Sequence, residues 1–340
     1  MVQAVPWFVL EALLLCLLVV FGSLGCGVGI LFPLLGGEKE KREALAIARP
    51  FAPVQAVLFS AVPAGLLMGC PAALPVLVDF LPVPTMLFLT GLVLRTTATQ
   101  VRPWRNRNWS RAGWSATVLS GSLLAMFSVG YVAANLLFGF PIGPTASAGP
   151  PVRSFSLFSV IGGFLLVTFA AFQGLLFLSI RAEGSLQKTL RRDMPVLAVN
   201  LIVFALAAGI ILALDVPSSR PWSTGRPLHW IFAGFAVLMA VLLVITVLKK
   251  SWKKAFGFSS LVSSFVILSL AAAQYPLVIP SRTDPSASIR ATDAAAAAGL
   301  PAALTLLSSA LVVILASLLF LLLWRDREPR SGNGGLQASK

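Results

Sequence analysis

The sequence is poor in charge, and this scarcity defines its class. Only 11% of its 340 residues are charged, whereas soluble domains carry roughly 25%. Hydrophobic residues make up 57% of the chain, and the mean hydropathy is +0.90. Polar side chains are therefore too few to cover a water-facing surface. These figures exclude a soluble enzyme and a disordered protein, and they predict an all-α polytopic membrane protein.

The residues that most often hold haems and metals are also scarce. A single histidine, His229, excludes bis-His haem ligation within this chain, while a pair between His229 and one of six methionines is left open. The three cysteines (Cys16, Cys26 and Cys70) lie in apolar segments without CxxC spacing, and we interpret them as small buried hydrophobes. The sequence thus predicts no catalytic, cofactor-binding or metal-ligating residue here.

Acidic residues are nearly absent from the apolar runs. Glu11 lies about one helical turn after Trp7, close to an expected membrane interface, and Asp79 and Asp215 lie at the ends of runs. A proton-coupled transporter usually carries a carboxylate near the midplane, so this distribution weakens a transport function. Interhelical hydrogen bonding is expected of the uncharged polar residues within the runs. These are Gln55, Asn135, Gln173, Asn200 and Gln274.

Apolar runs of about 20 residues predict nine transmembrane helices. The runs are 6–35, 51–78, 83–101, 114–138, 156–180, 195–214, 229–248, 257–278 and 300–324. A proline-marked hairpin (Asp79, Pro82, Pro84) is expected between the second and third. We interpret residues 1–325 as one transmembrane domain and residues 326–340 as a flexible cytoplasmic tail.

Basic residues indicate the orientation. The chain has a net charge of +14, but its 26 Lys and Arg residues cluster between apolar runs rather than on a nucleic-acid-binding face. One set of alternate loops, counted with the C-terminal tail, holds 21 of them, and the other set holds five. Cytoplasmic loops are the ones enriched in Lys and Arg. The split predicts an N-terminus outside and a C-terminus in the cytoplasm.

Several stretches, in order along the chain, resemble subunit II of the cytochrome bd-type quinol oxidases. They include a glycine-rich first helix, a helix ending in arginine, and a Y-P-x-x-x-P-S loop before the last helix. The matching stretches are 27–31, 92–95, 104–106, 134–141, 173–178, 181–186, 275–281, 287–289 and 292–294.

The chain departs from the family pattern at two places. The family has acidic residues in a D-G-F-D-L-G-V-G run of its first helix, where this chain has Gly22 and Gly25. It also opens its second helix with a W-x-x-N-E or N-Q element, where this chain has 52–56, which includes Gln55. A proton or water path through this subunit is in doubt because these polar groups are missing.

The resemblance implies a function within a complex. In such oxidases subunit I carries the haems and the quinol site, and subunit II is its haem-free partner of similar fold. The expectation is a subunit II-like protein of the bacterial plasma membrane that packs against and stabilises subunit I in aerobic respiration. No cofactor is expected in this chain, and the implied partners are subunit I, membrane lipid and, as a further option, a small single-span subunit.

Two residues are candidates for a role beyond packing. Arg95 either pairs with a carboxylate of subunit I or anchors the chain at the cytoplasmic interface. Asp293 either lines a path on the outer side or caps the helix over 294–298. The remaining motif or subunit-contact candidates are Gly27, Gly29, Asn135, Gln173, Gly174 and Gly184.

Two other functions stay open at this point. Nine spans can form a transporter or channel for a small solute, and the missing acidic residues leave room for a changed role. The chain can also be an assembly protein descended from subunit II, bound to a partner without oxidase activity.

Overall fold

The fold is helical throughout the part of the chain that the computed structural model describes, apart from one small hairpin. That part comprises residues 4–101, 108–142, 156–215, 227–282 and 285–291. The α-helices are α1 (Ala4–Leu17), α2 (Ser23–Ile30), α3 (Glu38–Ala48), α4 (Ala52–Gly69), α5 (Ala73–Phe80), α6 (Pro82–Val101), α7 (Asn108–Phe138), α8 (Leu157–Arg181), α9 (Gly184–Asp215), α10 (Pro227–Leu248) and α11 (Trp252–Gln274). The strands are β1 (Leu277–Ile279) and β2 (Ile289–Arg290), and the shorter helical turns are Phe32–Leu34, Arg49–Phe51 and Pro285–Ala287.

Helices that can cross a membrane recur along the described chain. Seven stretches are long and apolar enough, and a bent pair formed by α5 and α6 makes an eighth. The all-α polytopic class is therefore confirmed. The ninth predicted run, 300–324, lies outside the described residues, as do Asp293 and the tail 326–340, so the number nine and the orientation stay predictions.

The second predicted run, 51–78, is not one helix. It breaks after Gly69, because Pro71 has no N–H to continue the helix and disfavours the helical conformation at Cys70. The Cys70 N–H still closes the last turn by donating to the Leu66 carbonyl at 2.8 Å. The expected hairpin is instead a bend of 96° between α5 and α6, located at Leu81.

The centre of the molecule is α2. Almost every residue of this helix is buried, since α7 and α8 pack against it on two sides. A five-residue π-helix, Leu18–Gly22, joins α1 to α2 and contacts α4 and α11. The other long helices pack as neighbours in sequence, with α6 along α7, α8 along α9 and α10 along α11. This order places α9 and α10 at the periphery.

Backbone hydrogen bonds connect the chain after α11 to the end of α7, at the end of the bundle that is predicted to face outside. The strands β1 and β2 pair antiparallel directly after α11. The Phe140 N–H donates to the Pro280 carbonyl at 2.9 Å, and the Arg282 N–H donates to the Phe140 carbonyl at 2.8 Å. The Arg282 guanidinium lies 4.4 Å from the centre of the Phe138 ring. These hydrogen bonds and the Arg282–Phe138 contact thus hold the chain after α11 against the end of α7.

Candidate functional site

A buried arginine marks the most polar point among the membrane helices. Arg95 lies inside α6 and is only 8% exposed. Its Nη2 donates to the Gln55 Oε1 of α4 at 2.5 Å, and the Gln55 Nε2 donates to the Phe21 carbonyl at 3.0 Å. Phe21 belongs to the π-helical segment, a helix type that often occurs at functional sites. The cluster of Phe21, Gln55 and Arg95 therefore joins three membrane-spanning segments by hydrogen bonds.

Arg95 lies within the predicted run 83–101, but the resemblance implied a helix that ends in this arginine, and one expected role was an anchor at the cytoplasmic interface. The helix continues for six residues beyond Arg95, to Val101. The Thr96 and Thr99 hydroxyls donate hydrogen bonds to carbonyls of the same helix. The hydroxyl-rich stretch after Arg95 therefore stays helical. The basic side chain therefore lies inside the bundle, where it bonds Gln55.

Gly25 completes the surroundings of Arg95. A Cβ atom added at Gly25 would collide with the Arg95 Nη2 and with both amide atoms of Gln55. Gly25 and Gln55 are also positions at which the chain departs from the family pattern, and the structure brings both of them to Arg95. Part of each departure thus lies at the same place, whereas Gly22 lies apart, against Leu18 and Phe59.

The charge of Arg95 has no carboxylate partner in the described part of the chain. Its Nε is buried and makes no hydrogen bond there. An unpaired cation in a low-dielectric interior attracts anionic groups strongly. The cluster can therefore fix a positive charge inside the bundle.

A second polar contact lies between α8 and α11. The Gln173 Nε2 donates to the Ser260 hydroxyl at 2.7 Å, and the Gln173 Oε1 accepts a hydrogen bond from the Ser259 hydroxyl at 2.7 Å. Gln173 is fully buried. The prediction that Gln173 makes interhelical hydrogen bonds is confirmed by these two contacts.

The glycine candidates lie where helix backbones meet. A Cβ at Gly27 would collide with the Ala170 carbonyl oxygen of α8, and one at Gly174 would come within 2.7 Å of the Gly27 backbone. A Cβ at Gly29 would likewise collide with the Ser122 hydroxyl and crowd the Val118 side chain, both of α7. Small residues in membrane helices allow such close approach. These glycines therefore hold α2 against α7 and α8.

Two further candidates have local roles in the described chain. The buried Asn135 donates from Nδ2 to the Tyr131 carbonyl of its own helix at 3.0 Å, so it does not bond another helix through that group. Gly184 begins α9 with φ +62°, a conformation that residues other than glycine rarely adopt. Gly184 therefore allows the sharp turn between α8 and α9.

The single histidine and the carboxylate in α1 lie apart from the Arg95 cluster. The His229 Nδ1 lies 2.9 Å from the Ser269 hydroxyl and 3.0 Å from the Ser269 carbonyl oxygen, between α10 and α11. Glu11 is half-buried, and its carboxylate contacts Gly65 of α4. Within the described ranges no group of three or more His, Cys, Asp or Glu residues is arranged to hold a metal ion.

Comparisons with known proteins agree with the fold and with the motifs. A family model described as cytochrome bd terminal oxidase subunit II matches residues 3–325. Cytochrome bd-I ubiquinol oxidase subunit 2 of Escherichia coli K12 is 24% identical over 320 residues, which cover 85% of this chain and 84% of that protein. Cytochrome bd ubiquinol oxidase subunit 2 of Bacillus subtilis is 27% identical over 207 residues, which cover 58% of this chain and 61% of that protein.

A solved structure has the same fold. A chain from the structure of bd oxidase from Geobacillus thermodenitrificans superposes with a TM-score of 0.72 at 18% identity, covering 96% of this chain and 99% of that one. At this identity the likeness shows the fold alone. The family model, however, spans nearly the whole chain, and this chain therefore belongs to the cytochrome bd terminal oxidase subunit II family.

Proposed function

We propose that this chain is the haem-free subunit II of a bd-type quinol:oxygen oxidoreductase and that it packs against a haem-bearing subunit I in the bacterial plasma membrane. The observation that carries the proposal is the family match over residues 3–325. The fold is consistent with it, because a chain of a solved bd oxidase superposes on 96% of this chain. The relatives are oxidase subunits, so the transporter alternative has no support.

The chemistry of the complex then belongs to subunit I. With one histidine in 340 residues, this chain has no bis-His pair for a haem. The Nδ1 of that histidine is already hydrogen-bonded to Ser269. The role of this chain is to bind subunit I, to stabilise it and to exclude lipid from its haems.

Arg95 is the candidate for an electrostatic contribution to this partnership. Its charge is held in place by Gln55 and is not neutralised by a carboxylate among the described residues. Attraction between opposite charges acts over several ångströms in a low-dielectric medium. A carboxylate of subunit I near α4 and α6 would therefore be favoured over a neutral residue.

The experiment co-expresses this tagged chain with a haem-bearing subunit I of a bd-type oxidase from the same host. Membranes are solubilised in mild detergent, and we measure co-purified haem per tagged chain and quinol-driven oxygen uptake. Arg95→Gln is compared with Arg290→Gln, which replaces an exposed arginine of β2. We expect haem and oxygen uptake with the unaltered chain, a lower haem ratio with Arg95→Gln, and no change with Arg290→Gln. A chain that purifies folded without haem and without a partner would contradict the proposed function.

A further inference from the structure

The turn between α10 and α11 carries four lysines within six residues and no acidic residue. We call it the lysine turn, and its lysines are Lys249, Lys250, Lys253 and Lys254. All four side chains are exposed. By contrast, residues 38–43 of α3 contain three acidic and three basic residues, so that helix is balanced in charge. The lysine turn therefore concentrates positive charge at the end of the bundle that is predicted to face the cytoplasm.

The neighbours of the lysine turn fix it in place beside α9. The Ser251 N–H donates to the Thr246 carbonyl at 2.9 Å, which closes the end of α10. Trp252 packs against the buried hydrophobic cluster that includes Leu190 of α9. The Arg191 guanidinium, also of α9, lies 5.8 Å from the centre of the Trp252 ring. Arg191 thus adds a fifth positive charge beside the turn.

The chain itself does not neutralise this charge. In the described ranges no carboxylate forms an ion pair with a lysine of the turn, and Asp193 is bonded to Arg192. The stretches outside the described residues that are predicted to be cytoplasmic are themselves basic. Residues 102–107 contain three arginines and no acidic residue, and residues 325–340 contain four basic and two acidic residues. Covering the turn with either stretch would add positive charge instead of removing it.

An apolar surface begins directly next to the lysine turn. Leu248, the last residue of α10, is 75% exposed, and Val244, one turn earlier, is more than half exposed. Trp252 marks the depth of the turn, because tryptophan prefers the interface between the hydrocarbon core and water. A positive cluster at headgroup depth therefore adjoins a surface that acyl chains can cover. These two features together match a phospholipid with a negatively charged headgroup.

The kind of cation distinguishes a lipid from a protein partner at this place. Four of the five positive side chains are lysines. Lysine is depleted in protein–protein interfaces, where arginine is enriched and forms most of the close ion pairs. Lysine instead binds phosphate as a hydrated point charge on a flexible stem. Such contacts suit an exchangeable headgroup better than a fixed contact with subunit I.

We propose that the lysine turn, together with Arg191, binds the headgroup phosphate of an anionic phospholipid in the cytoplasmic leaflet, with the acyl chains lying along α10. Basic clusters at the cytoplasmic ends of membrane helices attract such headgroups. The inference goes beyond the proposed function, because it requires the membrane but not subunit I. It also concerns different helices from the cluster around Arg95.

The experiment measures lipid binding to the tagged chain, purified in mild detergent from its native host. Native mass spectrometry follows the binding of phosphatidylglycerol, with phosphatidylcholine and inorganic phosphate as comparison probes. The turn variant combines Lys253→Gln with Lys254→Gln. The control combines Lys39→Gln with Arg42→Gln and removes two exposed charges from α3. A third variant, Lys253→Arg with Lys254→Arg, keeps the charge of the turn.

The turn variant should bind phosphatidylglycerol about tenfold to thirtyfold more weakly than the unaltered chain, because each lysine near an anionic headgroup contributes about fivefold in affinity. The control and the arginine variant should bind it as the unaltered chain does, and high salt should reduce the difference by screening. Equal affinities for the turn variant and the control would overturn the proposal. So would an equal loss of phosphatidylcholine binding, or displacement of the lipid by inorganic phosphate. A turn variant that loses haem but keeps its lipid would place the turn against subunit I instead. Haem content of the unaltered chain reports separately on the proposed function.

Discussion

Replacing Gln55 by leucine tests how the polar cluster contributes to the fold. Gln55 bonds the Arg95 guanidinium on one side and the Phe21 carbonyl on the other. Leucine fills a similar volume without either hydrogen bond, and it leaves a buried guanidinium with a further unpaired group. The perturbation therefore removes the link between α4, α6 and the π-helical segment without creating a large cavity.

The expected destabilisation follows from the two bonds. A hydrogen bond to a charged group contributes about 1.5 to 3 kcal/mol and a neutral one about 1 kcal/mol. Hydrogen bonds between membrane helices lie at the lower end of such ranges, with an average of about 0.6 kcal/mol. We therefore expect Gln55→Leu to lower the free energy of unfolding by about 2 to 4 kcal/mol. At about 2 °C per kcal/mol for a large domain, this corresponds to a fall in Tm of roughly 4 to 8 °C.

The assay uses the chain's own thiols. All three cysteines are free and buried, so a thiol-reactive dye reports unfolding of the purified complex on heating. The control is Ser60→Leu, because the Ser60 hydroxyl is exposed and bonds only the Ala56 carbonyl of its own helix. Gln55→Glu offers Arg95 a carboxylate and should unfold at a higher temperature than Gln55→Leu. The reasoning is refuted if Gln55→Leu unfolds at the temperature of the control, or if Gln55→Glu is the less stable of the two.

Three further changes test separate contacts. Gly27→Ala forces α2 away from the backbone of α8 and should lower the stability of the complex by about 1 to 3 kcal/mol in the same thermal assay. The control Gly234→Ala adds a methyl group in open space on α10, so it should leave the stability unchanged or raise it slightly. Gln173→Leu leaves the buried Ser259 hydroxyl unpaired and should lower Tm by roughly 2 to 5 °C. An unchanged Tm would contradict the bonding between α8 and α11. Arg282→Ala removes a cation–π contact worth about 0.5 to 1 kcal/mol and should speed proteolytic cleavage after α11, while Arg290→Ala should leave the cleavage rate unchanged.

The class of fold and most of the helices could be predicted because membranes impose long apolar runs on the sequence. The helices α7, α8, α10 and α11 fall within a few residues of the predicted runs. The break at Gly69 was missed because the apolar run continues across it to residue 78. Hydropathy does not register the local backbone restriction that Pro71 places on Cys70.

The site was predicted only in part. Gln173 was expected to hydrogen-bond another helix, and it does so through both of its amide atoms. Arg95 was named as a candidate, but its bond to Gln55 was not expected, because a basic residue near the end of an apolar run is usually an interfacial anchor. The neighbourhood of Gly25, Gln55 and Arg95 depends on tertiary packing across 70 residues of sequence, which spacing alone does not reveal. The one sequence signal was that Gly25 and Gln55 both lie in stretches that depart from the family pattern.

The proposed function is tested most directly by a reduced-minus-oxidised visible spectrum of the tagged chain, purified in mild detergent from its native host. The proposal predicts haem bands together with a co-purifying His-rich membrane protein. The bands should persist when His229 is replaced by alanine, because the haem ligands belong to the partner. A colourless preparation that stays folded and contains no second membrane protein would contradict it, and loss of the bands in His229→Ala would contradict the haem-free role of this chain.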